Sequence, residues 1–217
     1  MSYLLRVVLP DRPGSLGALA VALGSVGADI LSLDVVERGT GFAVDDLIVD
    51  VPRGALPDTL ITAAEQLPGT RVDSIRPFTG MLDAHRELEL IDHVAGAGGG
   101  NRLQVLVDEA PQVLQVHWAT VVDTDDGATR RIVGSAGAPE TPAGAVAGLP
   151  LQRAAVLDAT ADWVPPLWQE LDTQLAAAPL GSGNRTLVVA RTGGPAFRPA
   201  EIARLGYLAG IVATVLR

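Results

Sequence analysis

Val7-Val8-Leu9-Pro10-Asp11-Arg12-Pro13-Gly14-Ser15-Leu16 is the stretch that decides the fold of the first third of the chain. The alternating run Tyr3 to Leu9 leads into it and reads as a strand. Pro10 to Gly14 reads as a turn, because proline removes a backbone donor and glycine tolerates conformations closed to other residues. Beyond the turn, Leu16, Leu19, Ala20, Leu23 and Val26 recur at helical spacing, and Gly27 suits the helix stop. Ile30 to Val36 reads as a second strand, Arg38 to Gly41 as a turn, and Phe42 to Val51 as a third strand. After the break at Pro52-Arg53-Gly54, Leu56, Leu60, Ala63, Ala64 and Leu67 mark a second helix. Pro68-Gly69 ends it, and Arg71 to Arg76 reads as a last strand. The order is βαββαβ over residues 1–78. Two helices would cover one face of such a sheet and leave the other partly bare, which favours a homodimer or a second domain.

The same turn carries candidate chemistry. Asp11 can accept backbone hydrogen bonds, Pro13 stiffens the loop, and Gly14 permits close backbone approach. First-turn amides of the following helix are free to meet a carboxylate. A small zwitterion such as an amino acid suits this place, its ammonium at Asp11 or Asp29 and its carboxylate at the amides. The alternative is a tight βα turn with a helix cap. Asp45 and Asp46 interrupt the third strand. They read either as a metal or ammonium site or as a solvated face or edge.

Val7 to Leu16, followed by Gly27-Ala28-Asp29-Ile30, resembles the opening of ACT domains, and the element order over residues 3–78 agrees with that family. The resemblance implies a ferredoxin-like α+β fold. It also implies an amino acid or other small effector bound where the first loop and the second strand's start meet, across a dimer interface. The residues it carries over are Asp11, Arg12, Pro13, Gly14, Ser15, Asp29 and Ile30. Asp29 stands where that family commonly has Asn, which replaces a neutral donor and acceptor with a charged acceptor.

Residues 81–217 have another rhythm and read as a second α+β domain. Leu82 to Val94 reads as a helix, Gly96 to Gly100 as a break, and Leu103 to Val107 and Val113 to Val122 as two strands. A tight turn at Asp123 to Gly127 leads to a strand over Ala128 to Val133. Gly134 to Pro150 is rich in Gly, Ala and Pro and reads as a long loop. Leu151 to Ala159 and Trp163 to Ala177 read as helices, with Pro165 and Pro166 in the first turn of the latter. Thr186 to Arg191 reads as a strand. Ile202, Leu205, Leu208, Ala209, Val212 and Leu216 mark a final helix. Asn184 to Arg191 with Pro195 to Ile202 resembles the end of GAF domains, which close with a strand, a Phe-x-Pro turn and a long helix. That resemblance implies a small-molecule pocket beside the sheet and helices available for dimerisation.

Composition narrows the function. At 217 residues with 48% apolar, the chain has ample material for a core, and disorder is not expected. Sixteen Arg and no Lys against 25 acidic residues give a net charge of −9, which opposes broad contact with nucleic acid or anionic membrane. The start of the chain shows no basic region followed by an apolar run, and no stretch reads as a membrane span, so a cytoplasmic protein is expected. Cysteine is absent, excluding disulfide and thiol chemistry. His85, His93 and His117 are too dispersed for a metal site by spacing, and no metal or other cofactor is expected. Trp118, Trp163 and Trp168 line a pocket or fill a core. Gly96 to Gly100 lacks the Lys-Ser or Lys-Thr of a phosphate loop, and Ser135 lacks a nucleophile-elbow pattern. No acid–base pair or nucleophile arrangement emerges, so no catalytic residue and no enzyme is expected. The chain reads as a regulatory protein that binds a small effector, or as an interaction module that has lost ligand binding.

Overall fold

The computed structural model describes residues 1–78, 85–125, 128–141, 149, 151–162, 164–170 and 172–217, with 125 and 128 described in backbone only. The chain divides into two compact units, Met1–Leu82 and Asp83–Arg217. Leu82, the turn residues Asp126 and Gly127, residues 142–148 and 150 of the Gly134 to Pro150 stretch, and Trp163 lie outside the described residues.

The first unit follows the order read from its alternating and helical patterns. It comprises β1 (Ser2–Pro10), α1 (Ser15–Ser25), β2 (Asp29–Arg38), β3 (Phe42–Asp50), α2 (Asp58–Glu65) and β4 (Arg71–Pro77). The strands form one antiparallel sheet in the order β2-β3-β1-β4, a βαββαβ ferredoxin-like arrangement. Alternation decides the faces. Tyr3, Leu5, Val7 and Leu9 of β1 and Leu47 and Val49 of β3 meet Leu19 and Leu23 of α1 and Leu60 and Ala64 of α2 in one core. Arg6 and Asp46 pair across the opposite face.

The second unit comprises α3 (Arg86–Gly96), α4 (Arg102–Val113), β5 (Trp118–Asp125), β6 (Ala128–Gly134), β7 (Ala155–Leu157), α5 (Pro166–Gln169), β8 (Gln174–Pro179), β9 (Arg185–Arg191) and α6 (Pro199–Val215). Its antiparallel sheet runs β6-β5-β9-β8-β7. On one face, side chains of α3, α4 and α6 pack on Ala119, Val121, Ala176, Ala178, Leu187 and Val189. On the other, Trp118, Leu175, Ala177, Val188 and Ala190 pack with Leu149, Leu157, Val164 and Trp168. Both units are α+β.

Four sequence expectations need correction. Leu103 to Val107 is helical, not a strand, and the strand read over Val113 to Val122 begins only at Trp118, because α4 runs through Val113. Leu106, Val107, Ala110 and Val113 are all buried at helical spacing, and together they outweigh the short apolar run. Leu151 to Ala159 holds only the short strand β7, and the described residues between Val164 and Ala177 hold the single turn α5 and the start of the strand β8. Leu175, Ala176, Ala177 and Ala178 favour a helix by propensity. Their position between β7 and β9 buries both faces completely, and small residues fit there. Among the described residues, no helix is long and apolar enough to cross a membrane.

Candidate functional site

A hollow of about 370 Å³ opens at the end of β1. That volume lies within the range small-molecule sites use. Leu9, Pro10 and the whole loop Asp11 to Leu16 line it, with Val35 and Arg38 of β2 and Ala43 and Asp45 of β3.

The loop is shaped by its own backbone. The Asp11 N–H donates to the Gly41 carbonyl at 3.1 Å, tying the loop to the β2–β3 turn. The Arg12 N–H donates to Pro10 at 2.9 Å, and the Ser15 N–H donates to Arg12 at 3.2 Å. Gly14 caps α1 at φ 90°, a left-handed conformation in which a side chain is strained. No side chain caps the helix. Asp11 therefore caps nothing in α1, and the Ser15 amide is met by the Arg12 carbonyl. Ala18 takes the Gly14 carbonyl, while Leu16 and Gly17 lie in the first turn, where no intrahelical acceptor exists for their amides. Such a helix start favours negative charge.

Asp45 is the residue whose place the sequence did not reveal. It is 1% exposed, and its Oδ1 accepts no hydrogen bond among the described residues. Burial holds its carboxyl above the ordinary aspartate value. Arg38 pulls it down, and Asp46 and Asp11 add repulsion. The adjacent Asp46 has the opposite environment. Its two oxygens accept from Nε and Nη2 of Arg6, both at 2.7 Å, and Arg6 is 1% exposed. The paired acids are thus neither one metal site nor one solvated face.

The structure gathers Asp11, Arg12, Pro13, Gly14 and Ser15 around one hollow. It does not bring Asp29 and Ile30 to them. Asp29 pairs with Asp50, which also pairs with Ser2, whereas Pro10 pairs with Phe42. Asp29 and Ile30 therefore sit at the opposite end of the sheet. At about 3.3 Å per residue, that is roughly 25 Å from the loop within one copy.

The second unit offers less. Trp168 is fully buried and its ring lies 5.4 Å from that of Trp118, so these two fill core space. Of the neighbours His117 and Trp118, Trp118 points inward and His117 accepts the Thr192 N–H at 2.9 Å. His93 meets Glu109 on an exposed surface. Arg131 donates to the Pro139 carbonyl at 2.9 Å. The buried Arg191 bonds the Gln115 and Pro195 carbonyls and Glu201 Oε1, and lies 4.5 Å from the Phe197 ring centre. This network anchors the start of α6. Among the described residues, no group of three or more His, Asp or Glu is placed to hold a metal.

No family model matches the chain, and no curated protein matches it. Among solved structures it is similar to the GAF domain of an Acinetobacter phosphoenolpyruvate-protein phosphotransferase, at 15% identity over 64% of this chain and 94% of that one, with TM-score 0.48. It is similar to a GAF domain from Pseudomonas syringae pv. tomato, at 16% identity over 59% of this chain and 81% of that one, with TM-score 0.45. It is also similar to the chromophore-binding domain of Stigmatella aurantiaca bacteriophytochrome, at 13% identity over 97% of this chain and 93% of that one, with TM-score 0.45.

Proposed function

We propose that the protein is a non-catalytic regulatory protein whose first unit binds an amino acid as effector. One observation carries this reading. The first-turn amides of α1, two carboxylates (Asp11 and Asp45) and two guanidinium groups (Arg12 and Arg38) belong to a single small hollow with apolar walls. A zwitterion needs that combination: donors for its carboxylate, an acceptor for its ammonium, and little net charge left over. Asp11, which is exposed, takes the α-ammonium, and the Leu16 amide takes the α-carboxylate.

A second copy of the chain completes the site in this reading. β2 is an edge strand, and Leu31, Leu33 and Val35 on it are 41%, 38% and 45% exposed. Long apolar edges invite strand pairing. Beside them α1 has no charged residue, and its Val21 is 75% exposed. Antiparallel pairing of two β2 edges about a two-fold axis brings Asp29 and Ile30 of a second copy beside Val35 and Arg38 of the first. That would account for the distance between the two halves of the site within one chain.

Calorimetric titration of wild type and Asp11→Ala with each standard amino acid tests the function. Loss of a charge-assisted hydrogen bond should weaken binding about 10-fold to 150-fold. Equal affinities would remove Asp11 from the site. If wild type binds no amino acid, the exposed β2 edge favours the second reading, an assembly module without an effector.

A further inference from the structure

An α-amino acid held by its two charged ends leaves Asp45 unexplained. Asp45 lies on β3 opposite Val7 of β1 and Val35 of β2, on the core-facing side that Leu47 and Val49 continue. Alternation calls for an apolar residue there. The acid that occupies the position is buried, and its Oδ1 has no donor among the described residues. Arg38 attracts it through space, yet no hydrogen bond joins the two, and Asp11 and Asp46 repel it. A buried carboxylate without a donor opposes folding, and no structural bond to that oxygen offsets it. Asp46 shows what a structural acid looks like at this point of the chain: two bonds at 2.7 Å to a buried arginine. Asp45 instead lines the hollow, beside Leu9, Val35 and Ala43.

We propose that Asp45 selects the effector's side chain: the ligand is a basic amino acid whose side-chain ammonium pairs with this carboxylate. The inference rests on the reading of the hollow as an amino-acid site. Leu9, Val35 and Ala43 would sheath the methylene stem, as apolar walls do for lysine stems within proteins. The ammonium supplies the donor that the Asp45 Oδ1 lacks. An aliphatic side chain of equal length would leave Asp45 buried and unpaired, so the site rejects it.

Lysine and norleucine separate these cases, because they share a stem and differ in the terminal ammonium. Both are titrated into the full chain as wild type, Asp45→Asn and Asp45→Ala, with circular dichroism to confirm folding. Wild type should bind lysine at least about 10-fold more tightly than norleucine. Both variants should lose that preference. Equal binding of the two by wild type would overturn the assignment of Asp45 and leave an amino-acid site standing, as would an unchanged preference in both variants. If wild type binds neither these two nor any other standard amino acid, the inference and the reading beneath it fall together. The wild-type ratio needs no variant, so it decides the matter even where a substitution prevents folding.

Discussion

Asp45→Asn and Asp46→Asn, one residue apart on β3, are expected to shift stability in opposite directions. Asp46 holds Arg6 bidentately, with Arg6 1% exposed. Breaking a buried pair from one side costs about 3–5 kcal/mol, because the remaining charge is left in a poor solvent. Asparagine keeps one acceptor for Arg6, so the lower end applies, about 3 kcal/mol. Asp45 has a buried oxygen without a donor, a situation that costs about 1–3 kcal/mol, and the attraction of Arg38 offsets part of it. Its neutralisation should therefore stabilise by about 1 kcal/mol. For a unit of 82 residues that raises Tm by about 4–8 °C. The gain depends on pH. Burial raises the Asp45 carboxyl above 3.8, so the native state binds more protons than the unfolded state between that value and the raised one. Stability then falls as pH rises through this window. The advantage of Asp45→Asn is thus full at neutral pH and disappears below the ordinary aspartate range. Differential scanning calorimetry of the unliganded full chain, at neutral pH and near pH 3.5, reads both effects. An Asp45→Asn protein that melts lower than wild type at neutral pH would refute the reasoning, since the carboxylate would then be making a structural bond.

Two further outcomes are expected. Arg191→Ala should destabilise the second unit by about 3–5 kcal/mol, because Glu201 and the Gln115 and Pro195 carbonyls lose a shared buried donor; urea unfolding followed by tryptophan fluorescence measures it, and a loss under about 1 kcal/mol would show that the network does not anchor α6. If two copies pair through β2 as proposed, wild type should sediment as a dimer and Leu33→Lys as a monomer, with monomer stability changed by no more than about 0.5 kcal/mol; sedimentation velocity reads the state, and a monomeric wild type or a dimeric variant would rule out pairing through β2.

Local pattern determined the first unit. Period-2 alternation, the switch to helical spacing, and glycine and proline at the breaks are all properties of neighbouring residues, and they were sufficient for βαββαβ. The same reasoning located the loop Asp11 to Ser15, because a strand-to-helix turn is also a local event. Tertiary structure decided the rest. Leu103 to Val107 is too short an apolar run to choose between strand and helix by itself, and burial of four residues on one face of α4 made the choice. The alanines of β8 prefer helix as isolated residues but became a strand because strands lie on both sides of them. Alternation alone places Asp45 and Asp46 on opposite faces. Which of them gains a partner depends on register between distant strands, since Arg6 lies 40 residues from Asp46. Topology likewise put Asp29 at the far end of the sheet from Asp11, although the two are close in sequence. Sequence pattern reports what a residue's neighbours along the chain prefer. Burial, pairing and the distance between two halves of a site are set by residues that meet only once the sheet has formed.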